Sequence, residues 1–214
     1  MKIGVLGTGI VGETIATKLT TVGHEVCMGS RGAANEKAAA WAEGIGQTHG
    51  TFADAASFGS AVFNCTAGSF SLDALAAAGV DNLEGKLIVD VANALDFSNP
   101  PLITLSVANS DSLGEHVQRT YPGARVVKAL NTMNCKVMVE PSLVPGDHNV
   151  LLCGDDADAK HEVVELLESF GWPAWRILDL GDITAARGLE MYAVLWVRLF
   201  GSLGTSTFNI AVSR

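Results

Sequence analysis

The chain has 214 residues, a formal net charge of −9 and a charged fraction of 17%. That length supports one domain, or one domain with a small appendage. The acidic balance excludes broad nucleic-acid binding, which needs a basic face, but a local cationic cluster can still hold an anionic small molecule.

No stretch reads as a membrane span, because the longest apolar run, Ala193 to Leu203, is interrupted by Arg198 and Ser202. No leader precedes the first strand, so a cytoplasmic protein is expected. Cys27, Cys65, Cys135 and Cys153 form no C-x-x-C pair and read as free thiols. The histidines are scattered, and no metal site is expected.

The chain opens with an apolar strand ending at Leu6, then Gly7-Thr8-Gly9-Ile10-Val11-Gly12, then a helical pattern to Val22. This is the start of a dinucleotide-binding βαβ unit. Gly7 allows the turn out of the strand, Gly9 the close approach of a pyrophosphate, and Gly12 the packing of helix on sheet. The N–H groups of Ile10, Val11 and Gly12 open the helix toward the phosphates. An NAD site usually carries an acid about 20 residues beyond the glycines. Here the second strand ends in Ser30-Arg31, with Lys37 further on. A hydroxyl and a guanidinium suit a 2′-phosphate, so the expected cofactor is NADP(H).

Further elements follow in order. A helix covers 33–42 and is stopped at Gly44. A short strand at 47–52 leads into a helix from Thr51. A buried strand covers 61–66, a helix 72–78 and a buried strand 86–91. Residues 92–101, ending in two prolines, read as a long loop. Ser112 N-caps a helix to Tyr121, with Glu115 at the capping-box position. Strand 125–130, loop 139–147, strand 149–153, amphipathic helix 158–169 and short strand 175–178 precede a last helix from Asp182 to about Leu203. Gly188 and Gly201 are its candidate kinks. The alternation predicts an α/β fold, a doubly wound, mostly parallel Rossmann sheet with a short C-terminal helical extension. The boundary is expected at 155, with a nucleotide-binding core over 1–155 and an extension over 156–214 that completes the sheet.

Ligands of open α/β sheets bind beyond the carboxyl ends of the strands. The tips here are small, amidic or soft: Thr66-Ala67-Gly68-Ser69, Asn93-Ala94-Leu95 and Asn131-Thr132-Met133. None offers Lys, His or a carboxylate pair as proton carrier, which favours hydride transfer between two ring systems. Thr66, Asn93, Asn131 and Met133 are the expected catalytic frame, with Thr66, Ala67 and Asn93 also touching the cofactor. Asp155, Asp156 and Asp158 read as helix-opening acids. Arg187 and Glu190 read either as a local ion pair or as part of the site or a subunit interface.

These motifs, with Gly23-His24-Glu25, Cys153-Gly154-Asp155-Asp156, Lys128-Ala129-Leu130-Asn131 and Gly181-Asp182-Ile183, resemble the NADP oxidoreductase family typified by coenzyme F420-dependent NADP reductase. The resemblance covers the whole chain. It implies hydride exchange between NADP(H) and the deazaflavin F420. It also implies a homodimer built through C-terminal helices that close over the nicotinamide site. The 2′-phosphate would then lie on Thr8, Ser30, Arg31 and Lys37. The archaeal members carry histidine where this chain has Asn131, and a bulkier tip in place of Ala67-Gly68-Ser69. Two other readings stand beside it: an NADPH-dependent reductase of a flavin, ferric chelate or small carbonyl or imine, and a non-catalytic NADP(H)-binding sensor.

Overall fold

The opening apolar run forms β1 (Lys2–Leu6) in a computed structural model that describes residues 1–100 and 102–213. It is followed by α1 (Ile10–Thr21), β2 (Glu25–Ser30), α2 (Glu36–Ile45), β3 (Thr48–Thr51), α3 (Phe52–Phe58) and β4 (Ala61–Asn64). Then come α4 (Ser71–Ala78), α5 (Val80–Leu83), β5 (Leu87–Asp90), β6 (Leu95–Asn99), β7 (Leu102–Leu105), α6 (Leu113–Thr120) and β8 (Arg125–Ala129). The chain continues as α7 (Cys135–Val139), β9 (Val150–Gly154), α8 (Ala157–Phe170), β10 (Ile177–Asp179) and α9 (Ala186–Leu203).

The main sheet has eight strands in the order β10-β9-β8-β5-β4-β1-β2-β3. Its pairings are parallel except β8 with β9. This is the doubly wound, mostly parallel fold that the alternation of strands and helices predicts. From β1 the strands are added outward in one direction through β2 to β3 and in the other through β4 to β5, and this switch opens a crevice at the carboxyl ends of β1 and β4.

Strand residues alternate between two cores. Leu87 and Val89 join the layer of α1, α2, α7 and α8, while Ile88 joins the layer of α3, α4 and α6. Burial on both faces explains why the central strands read as unbroken apolar runs.

Residues 95–105 correct one expectation. The loop expected over 92–101 contains β6, which pairs antiparallel with the following β7 in the register Leu95↔Leu105 and Asp96↔Thr104. Leu95 and Phe97 alternate with Asp96 and Ser98, a strand period hidden by the prolines that follow. Pro101, the last residue of the expected loop, lies outside the described residues, as does Arg214.

Element ends shift in smaller ways. α2 starts after its N-cap Asn35 and runs through Gly44 to Ile45, ending at Gly46 with φ 70°. α9 begins at Ala186 after a 3₁₀ turn (Ile183–Ala185) and continues through both Gly188 and Gly201.

The glycine turn is fixed by contact. Gly7 has φ +120°, and a Cβ at Gly12 would stand 2.1 Å from the Gly7 carbonyl oxygen. Gly12→Ala should therefore push α1 off the turn and cost about 1–3 kcal/mol, read as a lower urea midpoint. An unchanged midpoint would show that the turn does not need this close approach.

Candidate active site

The first βα turn, the β2 tip and α4 enclose a groove of about 630 Å³. Gly7, Thr8, Gly9, Ser30, Arg31, Thr66 and Ala67 line it, as the sequence led us to expect. α1 starts at the N-cap Gly9 with no side-chain capping bond, so its first N–H groups face the groove end unclaimed. A Cβ built on Gly9 would meet nothing within 4 Å, so the groove has open space against bare backbone. Arg31 is exposed and forms no ion pair among the described residues. The Ser30 hydroxyl donates to the Gly32 carbonyl at 2.7 Å. Uncommitted N–H groups at one end and a free guanidinium at the other fit the pyrophosphate and 2′-phosphate of an NADP(H) molecule.

Three expected cofactor-binding residues, Lys37, Ile10 and Gly12, are not among the residues that line the groove, which leaves Ile10 and Gly12 only their backbone N–H groups to offer. Lys37 sits on the exposed side of α2, outside the groove lining, and Asn35 borders the groove instead. Ile10 is 68% exposed at the start of α1. Gly12 is buried against Gly7, packing α1 onto the turn as its spacing predicts.

A second cavity of about 440 Å³ adjoins the groove and shares Cys65, Thr66, Ala67 and Phe70 with it. Val11, Asn93, Asn131 and Met133 line it, so the structure brings together every residue of the expected catalytic frame. Asn93 and Asn131 clasp each other. Asn131 Nδ2 donates to Asn93 Oδ1 at 2.8 Å, and Asn93 Nδ2 donates to the Asn131 carbonyl at 2.8 Å. Leu130, just before this clasp, is held at φ 65°, a strained conformation for a branched aliphatic residue.

Sequence reasoning missed Phe70, Phe97 and Trp196 in this cavity. Phe70 and Phe97 are each 62% exposed, and Trp196 comes from α9. Exposed phenylalanines next to glycine or proline turns are the signal that would have found the first two.

The cavity lining contains no Asp, Glu, Lys, Arg or His among the described residues. Its one ionisable group is the Cys65 thiol, which burial pushes up and the Asp90 charge pushes further, so it stays protonated.

Charge lies one layer behind the wall. Lys128, fully buried on β8, reaches Asp90 Oδ2 at 2.6 Å, the Ala92 carbonyl at 2.7 Å and Glu190 Oε1 at 2.8 Å. Burial alone would lower the Lys128 amine. The charges of Asp90 and Glu190 outweigh it, and the net direction is up. Glu190 also accepts the N–H groups of Leu113 and Gly114 at 2.9 Å each, closing the start of α6.

Arg187 and Glu190 are therefore not a pair with each other. Arg187 forks onto Glu115 instead, at 2.9 and 2.6 Å. Glu115 in turn accepts the Ser112 hydroxyl at 2.8 Å, so the expected capping box becomes a Ser112–Glu115–Arg187 chain. Of the acids after β9, Asp156 caps α8 through Ala159 N, and Asp155 accepts from Ile183 N.

A Rossmann sheet with an uncapped glycine turn, a cationic β2 tip and an adjoining cavity defines an NADP(H)-dependent oxidoreductase. The comparisons give the family. A crystal structure of an Arthrobacter sp. FB24 protein, provisionally described as an F420-dependent NADP reductase, matches with a TM-score of 0.94 and 48% identity, covering 100% of both chains. The F420-dependent NADP reductase of Methanocaldococcus jannaschii is 28% identical over 210 residues, 93% of this chain and 92% of that protein. Metalloreductase STEAP3 of Rattus norvegicus is 30% identical over 192 residues, covering 88% of this chain. The alignment spans 36% of the rat protein. The chain belongs to the family described as NADP oxidoreductase coenzyme F420-dependent, whose model matches residues 2–94.

Lys128→Met should cost about 3–5 kcal/mol in urea unfolding at neutral pH, because it leaves Asp90 and Glu190 buried without their cation. An unchanged midpoint would remove the ion cluster from the determinants of the fold.

Proposed function

We propose that this protein transfers hydride between NADP(H) and coenzyme F420, taken as a freely exchanging deazaflavin substrate. The observation that carries this reading is the composition of the second cavity: amides, hydroxyls, thioethers and aromatics, with no side chain poised to give or take a proton. Exchange of a hydride between two flat rings asks the protein for alignment and exclusion of water. The near-full-length similarity to the M. jannaschii reductase supports the same choice.

In this reading NADPH, when bound, supplies the hydride from its nicotinamide ring. The glycine turn and the first N–H groups of α1 hold the pyrophosphate. Arg31 holds the 2′-phosphate, and the Ser30 hydroxyl joins it by rotating away from Gly32. Thr66, Ala67 and Asn93 border the nicotinamide end, and Asn131 and Met133 the acceptor. Phe70, Phe97 and Trp196 offer apolar faces to a flat acceptor. Residues 1–155 act as the nucleotide-binding core, and 156–214 contribute α9 to the cavity wall. The exposed apolar side chains Leu195, Phe200 and Leu203 on α9 support a homodimer through that helix. Four free cysteines suit a reducing, cytoplasmic setting.

A second reading has one observation in its favour. The similarity to a metalloreductase supports a ferric chelate as acceptor.

NADPH oxidation should therefore be followed with F420, FMN and a ferric chelate in parallel, with NADH as control donor. Saturable turnover with F420 is expected. Turnover confined to the chelate would replace the deazaflavin by the metal, and NADPH binding without turnover on any acceptor would leave a sensor. Arg31→Ala should weaken NADPH binding by roughly tenfold or more while sparing NADH; equal weakening of both would refute the 2′-phosphate assignment. Asn131→Leu should lower turnover and leave NADPH affinity intact, and unchanged turnover would take Asn131 out of the site.

A further inference from the structure

We propose that Asn64 is a positioning residue that makes Thr66 an acceptor-only group at the junction of groove and cavity. The junction then selects a nucleotide group that donates a hydrogen bond, an O–H of the nicotinamide ribose or the carboxamide N–H, and rejects a phosphate oxygen. This inference rests on the NADP(H) reading above and deepens it.

The polarity originates at Lys128. An ammonium has three protons, and Asp90, Ala92 O and Glu190 take them. Asp90 is thus an ion-paired carboxylate, which can only accept. Its other oxygen lies 2.9 Å from Asn64 Nδ2. The NH₂ end of Asn64 is therefore forced toward Asp90, and its carbonyl faces the opposite way.

That carbonyl meets Thr66 Oγ1 at 2.6 Å and the Thr66 N–H at 3.3 Å. A carbonyl only accepts, so the single hydroxyl proton of Thr66 is committed to Asn64. Ser71 Oγ lies 2.9 Å from Thr66 Oγ1 and can only donate there, Thr66 Oγ1 being a closer acceptor for its proton than the Ala67 carbonyl at 3.4 Å. Thr66 Oγ1 is left with one lone pair and no proton to offer. Asn64, Asp90 and Ser71 are all 0% exposed, so water cannot enter and invert the chain of donors.

Thr66 borders both the groove and the cavity. A lone pair at that junction repels another acceptor and binds a donor. The sequence placed Thr66 in the catalytic frame. The donor count limits it to recognition, since it cannot supply a proton.

The test is calorimetric titration of three nucleotides: NADP⁺, its 3-acetylpyridine analogue, in which methyl replaces the carboxamide NH₂, and an analogue deoxygenated on the nicotinamide ribose. The proteins are the wild type, Thr66→Val and Thr66→Ser. The wild type should bind one analogue about fivefold more weakly than NADP⁺, and the analogue affected identifies the donor. Thr66→Val should weaken NADP⁺ by a similar factor and lose the discrimination, and Thr66→Ser should restore both. Asn64→Leu should erase the discrimination with Thr66 intact; if that protein does not fold, the Thr66 pair decides. Equal wild-type affinity for all three nucleotides, or a Thr66→Val protein with wild-type affinity and discrimination, overturns the inference. A wild type that binds none of the three overturns the NADP(H) reading instead.

Discussion

The ammonium of Lys128, held between Asp90 and Glu190 in the interior, is the interaction on which the rest of the structure depends. An unpaired charge at that depth would be prohibitive, and a paired one is tolerated only when its hydrogen bonds are complete. Here every Lys128 proton has an acceptor, and the second carboxylate is balanced by the N–H groups at the start of α6. The cluster joins β5, β8, α6 and α9. It makes the position of the last helix a matter of charge pairing as well as apolar contact.

The same cluster shapes the site without entering it. Through Glu190 it holds α9, whose Ala193, Trp196 and Val197 close the cavity. Through Ala92 it holds the strand end beside Asn93, and through Asp90 and Asn64 it sets the donor direction at Thr66. The cavity can therefore be free of ionised side chains while its hydrogen-bonding polarity is fixed from behind. Such a wall presents hydrogen-bonding groups of fixed direction and no ionised side chain to whatever the cavity holds.

The groove was legible because its parts are local. Gly7, Gly9 and Gly12 sit within one turn, and each answers a steric demand that the chain imposes on itself over a few residues. Ser30 and Arg31 follow from where the second strand ends. Lys37 was less legible, because a helical position says how far along an element a residue lies and not which way its face turns; α2 begins later than expected and carries Lys37 on its exposed side, outside the groove lining. The hairpin at 95–105 was hidden for a different reason. Its strands are short and mostly exposed, so the pattern is weak, and the neighbouring prolines carried a stronger local signal.

By itself the sequence determined the mostly parallel sheet, the glycine turn and the cationic tip, since strand period, glycine conformation and the missing acid are properties of short stretches of chain. Only the tertiary structure decided the partners of Lys128, Glu190 and Arg187. Arg187 and Glu190 lie close enough in sequence to pair with each other, yet the fold gives each an opposite charge from a different element. The reason is physical. A buried charge is satisfied by whatever the packing of distant elements brings within hydrogen-bond distance, and one-dimensional spacing does not encode that proximity.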